Sequence, residues 1–393
     1  MSALKGLRVL DLSRVLAGPW AGQLLADLGA SVVKVERPDS GDDTRAWGPP
    51  YMRDDDGAPT AESAYYLCAN RGKRSITIDI TSAEGQARLR RLAASADVLL
   101  ENFKFGGAAQ YGLDYESLRE VNPGLVYCSI TGFGQTGPLA ARPGYDFMIQ
   151  ALGGLMSITG APDEEAGAGP QKVGVALTDI MTGLYATVGV LAALREREQS
   201  GLGQHVDLAL LDVTAASLAN QATNYLVGGL VPGRLGNAHP NIVPYQTFRA
   251  ADREFVVAVG NEKQFSALAA VVGEPSLSSD ERFNSNGARV KNRKALCALL
   301  EQKFAERTAA DWLEAMEAKD VPSGPINRID ELFAEPQLRA REMIVSMEHP
   351  ENSSLQLVAN PIKLSRTPVR YDHPPPRLGE HDMLSESELW DSL

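Results

Sequence analysis

In the first third of the chain, apolar positions follow two patterns in alternation. Short continuous apolar runs predict buried strands over 7–12, 31–36, 75–80, 98–100 and 125–130. Between them the spacing turns helical. Trp20, Leu24, Leu25 and Leu28 share one face and predict a helix over 19–28 that stops at Gly29. Thr81 followed by Glu84 reads as a capping box, and the helical pattern continues through Leu89 and Leu92. Strands alternating with helices imply a mostly parallel sheet covered by helices.

Further on, 153–170 is rich in loop residues, and a long apolar helix is predicted over 180–197. A strand at 206–208 and a helix over 211–226 follow, then a linker rich in Gly and Pro over 228–244. A smaller set of elements comes next: a strand at 254–259 and helices over 262–272, 293–306 and 309–318. Val321-Pro322-Ser323-Gly324-Pro325 reads as a second linker, and Pro374-Pro375-Pro376 precedes a short final helix. The expected architecture is a large Rossmann-like α/β domain over 1–225, completed by 326–393, with a smaller α/β domain inserted at 226–325. No internal repeat or low-complexity tract interrupts it.

Composition narrows the function. The 393 residues are 44% hydrophobic and 22% charged, ordinary for a globular chain with a large core. The net charge of −12 argues against a nucleic-acid partner, since neutralising phosphates takes positive charge. Cys68, Cys128 and Cys297 lie far apart in sequence, which leaves no CxxC pair and no zinc set. Unpaired thiols fit a reducing compartment. The first predicted strand starts at Leu7, so no targeting peptide is expected, and no apolar run reads as a membrane span. A cytoplasmic location is the expectation.

Several chemistries lack their signatures. Gly72-Lys73 has the right ending for a P-loop, but Leu67 stands where that loop needs glycine. The first βα turn, Ser13 to Pro19, lacks the GxGxxG spacing, and no G-x-S-x-G elbow occurs. The five histidines form no metal-binding spacing.

Other blocks are positive evidence. They are Asp11 to Pro19, Val33 to Arg37, Asn70 to Ser75, Glu101-Asn102-Phe103, Thr131 to Gly134, Gly144-Tyr145-Asp146, Gly174 to Gly183, and Pro374 to His381. Together, and in this order, they resemble the class III CoA-transferases, the formyl-CoA transferase-like family. Asn220 to Tyr225, Ile242 to Gln246, Val259 to Phe265 and Val321 to Asn327 are most similar to the succinate–hydroxymethylglutarate CoA-transferases of that family.

By position alone, Asp179 reads as a cap at the head of an apolar helix. The resemblance implies instead that it is a covalent nucleophile, passing through an anhydride and an aspartyl-CoA thioester. It implies that Val15, Leu16, Ala17, Asn102 and Phe103 line the CoA channel. Arg37, Asn70, Arg71, Lys73 and Lys104 are expected at the charged nucleotide end. Gln110 and Pro143 stand where formyl-CoA transferase has an arginine and a lysine, so Lys104 or Arg142 is expected to compensate. Tyr145 and Asp146 are expected beside the cofactor, with Asp146 in support of the nucleophile. Trp47 and Arg45, with Gly260 and Asn261, are expected around the acyl substrate, and Arg45 or Arg71 is expected to meet a remote carboxylate.

Coenzyme A thioesters are expected as substrates, with no tightly bound cofactor. The resemblance favours succinyl-CoA as donor, a C4–C6 dicarboxylate as acceptor, and an interlocked homodimer. Two other readings stand beside it: an α-methylacyl-CoA racemase and a non-catalytic CoA-binding protein. The racemases of this fold carry a histidine before the aspartate of the Gly-x-Asp block. Tyr145 occupies that place here, and a phenol of ordinary pKa ~10 is a poor base at neutral pH.

Overall fold

The computed structural model describes residues 2–165 and 167–391. It divides into two compact units. The larger comprises Met1–Met156, Lys172–Leu230 and Pro336–Leu393; the smaller comprises Ser157–Gln171 and Val231–Glu335.

The larger unit is built on six strands: β1 (Arg8–Asp11), β2 (Ser31–Glu36), β3 (Lys73–Thr77), β4 (Val98–Glu101), β5 (Val126–Thr131) and β6 (His205–Ala209). All neighbours pair in parallel, in the order β3-β2-β1-β4-β5-β6. This is the strand order of a Rossmann sheet. Alternation within β1 shows why both faces are apolar. Leu10 packs with Leu89 and Leu92 on one side, and Val9 packs with Leu25 and Val190 on the other.

The helices that position the site are α1 (Ala17–Asp27), α2 (Ala83–Ser95), α3 (Asp146–Leu152) and α4 (Leu177–Ser200). By length and composition α4 could cross a membrane, against the expectation that no run would. Here it packs on α1 and the sheet, burying Ala186, Val190 and Ala193 in the same cluster as Val9. Gly183 permits the close approach: a Cβ there would lie 2.7 Å from the Ala17 carbonyl oxygen.

Element boundaries differ from expectation where a local contact decides them. Ser82, not Thr81, caps α2, because Thr81 Oγ1 donates to Asp79 while Ser82 Oγ accepts the Gly85 N–H at 3.0 Å. The helix expected over 211–226 is two helices, α5 (Leu210–Ser217) and α6 (Ala219–Gly228), divided where Ala219 takes a φ of 45°. Two hairpins, Tyr51–Arg53 with Pro59–Ser63 and Ile344–His349 with Asn352–Val358, were not foreseen. The C-terminal tail runs beside β3, where Thr77 N–H donates to Asp382 at 2.6 Å and Gly379 N–H to Ser75 Oγ at 3.1 Å.

The smaller unit carries an antiparallel sheet of β7 (Tyr245–Arg249), β8 (Glu254–Ala258) and β9 (Ser323–Pro325), with β8 central. The presumed linker at 321–325 is therefore partly an edge strand. Phe304 anchors the core, with its ring 5.1 Å from Phe255 and 5.3 Å from Trp312. Ser157–Gln171 joins this unit rather than the larger one. Gly236 N–H donates to the Gly160 carbonyl at 3.1 Å, and Arg234 Nε to that of Ala161 at 3.2 Å.

Candidate active site

Sheets of this strand order bind ligands at the point where the order reverses, outside the carboxyl ends of the strands. Here that point lies between β1 and β4. Asn102 ties the two following loops together: its Oδ1 accepts the Arg14 N–H at 2.9 Å, and its Nδ2 donates to the Arg14 carbonyl at 2.7 Å. Val15 takes a φ of 71°, unusual for a β-branched residue. Asp42 holds it there, accepting the Val15 N–H at 3.2 Å, and Lys34 Nζ reaches both Asp42 (2.8 Å) and the Ser13 carbonyl (2.9 Å). Burial raises the pKa of Asp42, but the Lys34 ammonium and the Thr44 donors outweigh it and bring the group to about 2.

Beyond these loops is a cleft of about 500 Å³. Val15, Leu16, Ala17, Asn102, Phe103 and Lys104 line it, together with Trp47, Tyr145 and Asp179. One wall forms where two backbones nearly touch: a Cβ on Gly132 would lie 2.6 Å from the Gly144 Cα.

Asp179 is in the first turn of α4 but is not its cap. Ala176 holds the cap position and offers no side-chain acceptor. The acceptor comes from α3, where Asp146 Oδ1 takes the N–H groups of Thr178 (2.8 Å) and Asp179 (3.3 Å). Burial first, and then the Asp146 charge, push the Asp179 carboxyl up to about 7. Tyr65, which sequence reasoning passed over, feels the same charge: burial and then Asp179 raise its phenol to about 12. Its ring meets Trp47 edge-on at 5.1 Å. Neither motif nor spacing marks Tyr65; only the fold brings it here.

A second cavity, of about 420 Å³, opens over the ends of β2 and β3. Val35, Pro38, Ile78, Ile80 and Tyr111 give it apolar walls, and Arg37 lies on its lining. Arg14, Phe103 and Lys104 line both cavities and so connect them. Gln110 borders the second and Pro143 the first. Arg37 is half-exposed and paired with Asp43. Burial pushes Glu101, at the end of β4, up to about 7, although it accepts the Phe103 N–H at 2.7 Å.

Four expected contacts are corrected by burial. Arg45 is buried and donates to both Glu36 (2.8 Å) and Glu62 (2.8 Å). Arg71 is spent on Asp27, with two bonds of 2.8 and 2.7 Å. Lys73 lies inside, bonded to Asp11, Asn70 and the Pro19 carbonyl at 2.9 Å each. Asn70 is fully buried beside it. None of the four lines either cavity. They hold up the β1–β2–β3 edge, and their donors face partners that a ligand would have to displace. Gly260 and Asn261 belong to the smaller unit, where Asn261 caps the helix Glu262–Val271. Among the described residues no cluster of His, Cys, Asp or Glu could hold a metal ion.

A Rossmann sheet with a carboxylate at a helix head beside its switch point is an arrangement suited to acyl transfer. The signature of CoA-transferase family III spans residues 4–382, and the chain belongs to that family, a class of enzymes that transfer coenzyme A. It is 51% identical over 386 residues to the succinate–glutarate CoA-transferase of Agrobacterium fabrum, covering 98% of this chain and 95% of that one. It is 42% identical to the human succinyl-CoA:glutarate CoA-transferase, covering 96% of this chain and 84% of that one. A CaiB/BaiF family protein from Brucella suis has the same fold, with a TM-score of 0.86, 50% identity and 99% coverage of each chain.

Proposed function

We propose that the protein moves CoA from succinyl-CoA to a C4–C6 dicarboxylic acid, using Asp179 as the covalent nucleophile. The observation that carries this reading is the Asp179 carboxylate, set in a cleft that shares walls with an apolar cavity bordered by cations. The apolar cavity suits the adenine, Arg37 and Lys104 suit the phosphates, and the path past Arg14 and Phe103 suits the pantetheine arm.

In the first step the Asp179 carboxylate attacks the thioester carbonyl and expels CoA thiolate, leaving a mixed anhydride. The thiolate then attacks the aspartyl carbonyl, which forms an aspartyl-CoA thioester and releases the donor acid as its carboxylate. The acceptor carboxylate attacks this thioester, giving a second anhydride and thiolate. Attack of the thiolate on the acceptor's acyl carbonyl releases the new acyl-CoA and restores Asp179. The thioester bond energy is carried through, so no ATP is consumed. Acylation removes the charge of Asp179, which relieves its repulsion with Asp146 and favours the covalent states. The first-turn amide of Ala17, a residue that lines the cleft, has no side-chain cap and is suited to the developing oxyanion.

Both named relatives act on glutarate by their names, which supports the acceptor class. A homodimer is part of the proposal. It is supported by an apolar helix end left in solvent, with Leu226 79% and Val227 83% exposed. The free cysteines fit a cytoplasmic setting.

The test is to mix the enzyme with succinyl-CoA without acceptor, quench, and weigh the peptide that contains Asp179. A CoA-sized adduct is expected, and Asp179→Ala should show neither adduct nor turnover. Turnover by Asp179→Ala would overturn the covalent mechanism.

A further inference from the structure

With Arg45 and Arg71 committed to buried carboxylates, the remote carboxylate of a dicarboxylic acyl group needs another cation. Three border the cleft that holds Asp179: Arg14, Lys104 and Arg142. Arg14 donates to Asp43 at 2.9 Å, and both Arg14 and Lys104 also line the second cavity. Arg142 lines only the cleft with Asp179 and makes no ion pair among the described residues. Its guanidinium carbon lies 5.6 Å from the centre of the Phe133 ring, and Nη2 is 3.9 Å from Met148 Sδ. A ring face steadies a guanidinium without using up its hydrogen-bond donors, which stay available to a carboxylate. The segment that carries Arg142 is itself fixed, by its 2.8 Å bond to the Leu139 carbonyl and by the contact of Gly144 with Gly132.

We propose that Arg142 is the specificity-determining residue for dicarboxylic substrates, holding the carboxylate at the far end of the acyl chain while the near carbonyl meets Asp179. This rests on the reading of Asp179 as the acylated group. A planar fork can grip a carboxylate by two parallel hydrogen bonds, which fixes the direction of the chain as well as its charge. Because donor and acceptor occupy the same cleft in turn, one arginine selects both.

The test is competition between equimolar succinyl-CoA and butyryl-CoA, with glutarate as acceptor. The two donors share the CoA moiety and the chain length, so their relative consumption reports the remote carboxylate alone. The wild type should favour succinyl-CoA by about 100-fold, the size expected when a charged two-point contact is lost. Arg142→Ala should reduce the preference to within about five-fold, and Arg142→Lys should fall between, as a point charge without the fork. Lys104→Ala should weaken both donors and leave their ratio unchanged. A wild-type ratio in Arg142→Ala, or no preference in the wild type, would overturn the proposal. Weighing the Asp179 peptide in parallel samples that contain succinyl-CoA but no glutarate separates the two ideas. An adduct with an unmoved ratio defeats only the role of Arg142, whereas no adduct in the wild type defeats the nucleophile.

Discussion

The carboxylate of Asp146 caps the helix that begins beside Asp179, accepting the Asp179 N–H at 3.3 Å. One contact therefore does two opposed things. It satisfies the helix head, and it sets a second negative charge next to the carboxylate that, as the proposed nucleophile, has to be ionised to attack.

Asp146→Asn keeps an oxygen acceptor and removes the charge. The acidic limb of kcat/KM for acyl-CoA should move to lower pH by on the order of one unit. Burial pushes the Glu101 carboxyl up to about 7 as well, so the comparison belongs in a Glu101→Gln background. An unmoved limb there would show that burial alone sets the Asp179 pKa.

Asp179 also carries a stability signature. Its folded pKa of about 7 lies above its ordinary value of 3.8, so the folded protein holds the proton more tightly than the unfolded chain does. As pH rises from 3.8 to 7 the unfolded chain ionises first and stability falls; above 7 the penalty is complete. Asp179→Asn should raise the unfolding free energy at pH 8, by on the order of 2 kcal/mol after allowance for solvent screening of a partly exposed group. The gain should vanish below pH 4. A gain that is equal at both pH values would locate its origin in packing rather than charge.

Arg37 and Lys73 should part company. Arg37→Ala should raise the KM for acyl-CoA several-fold with little change in kcat, and less so at high salt. Lys73→Ala leaves Asp11 buried without its cation and should lower unfolding stability by about 3–5 kcal/mol. Denaturant melts and steady-state kinetics on both variants decide this. A salt-sensitive rise in KM for a well-folded Lys73→Ala would return that residue to the cofactor site.

The turn at Val15 depends on Asp42. Asp42→Ala strands the fully buried Lys34, and a loss of about 3–5 kcal/mol is expected by chemical denaturation. Lys34→Met combined with Asp42→Asn removes both charges and should recover most of that stability. It should still turn over slowly, because the loop lining the cleft has lost its clamp. Full activity in the double variant would show that the φ of Val15 needs no ionic support.

Much of the larger unit was legible in the sequence because its strands are buried on both faces. Runs such as Ser31–Glu36 stand out against polar surroundings, and their alternation with helices implies the parallel sheet. The hairpins at 51–63 and 344–358 were missed because their strands are short and mixed in character. In the site, the motif residues Val15, Leu16, Ala17, Asn102, Phe103 and Asp179 do meet at one cleft. Arg45, Arg71 and Lys73 were misplaced for a physical reason. A sequence displays a cation without its partner, and Glu62, Asp27 and Asp11 lie 17, 44 and 62 residues away along the chain.

Those buried pairs also constrain how the protein can drift over evolutionary time. A single exchange at Asp27 or Arg71 leaves one charge stranded in the interior, at about 3–5 kcal/mol out of a typical total of about 5–15. Neither position can change freely by itself. The two halves of each pair should be inherited as a unit, so that a descendant lacking Asp27 has also replaced Arg71, whereas an exchange at the solvent-facing Arg37 or Lys104 strands no charge in the interior and is felt in binding rather than in folding.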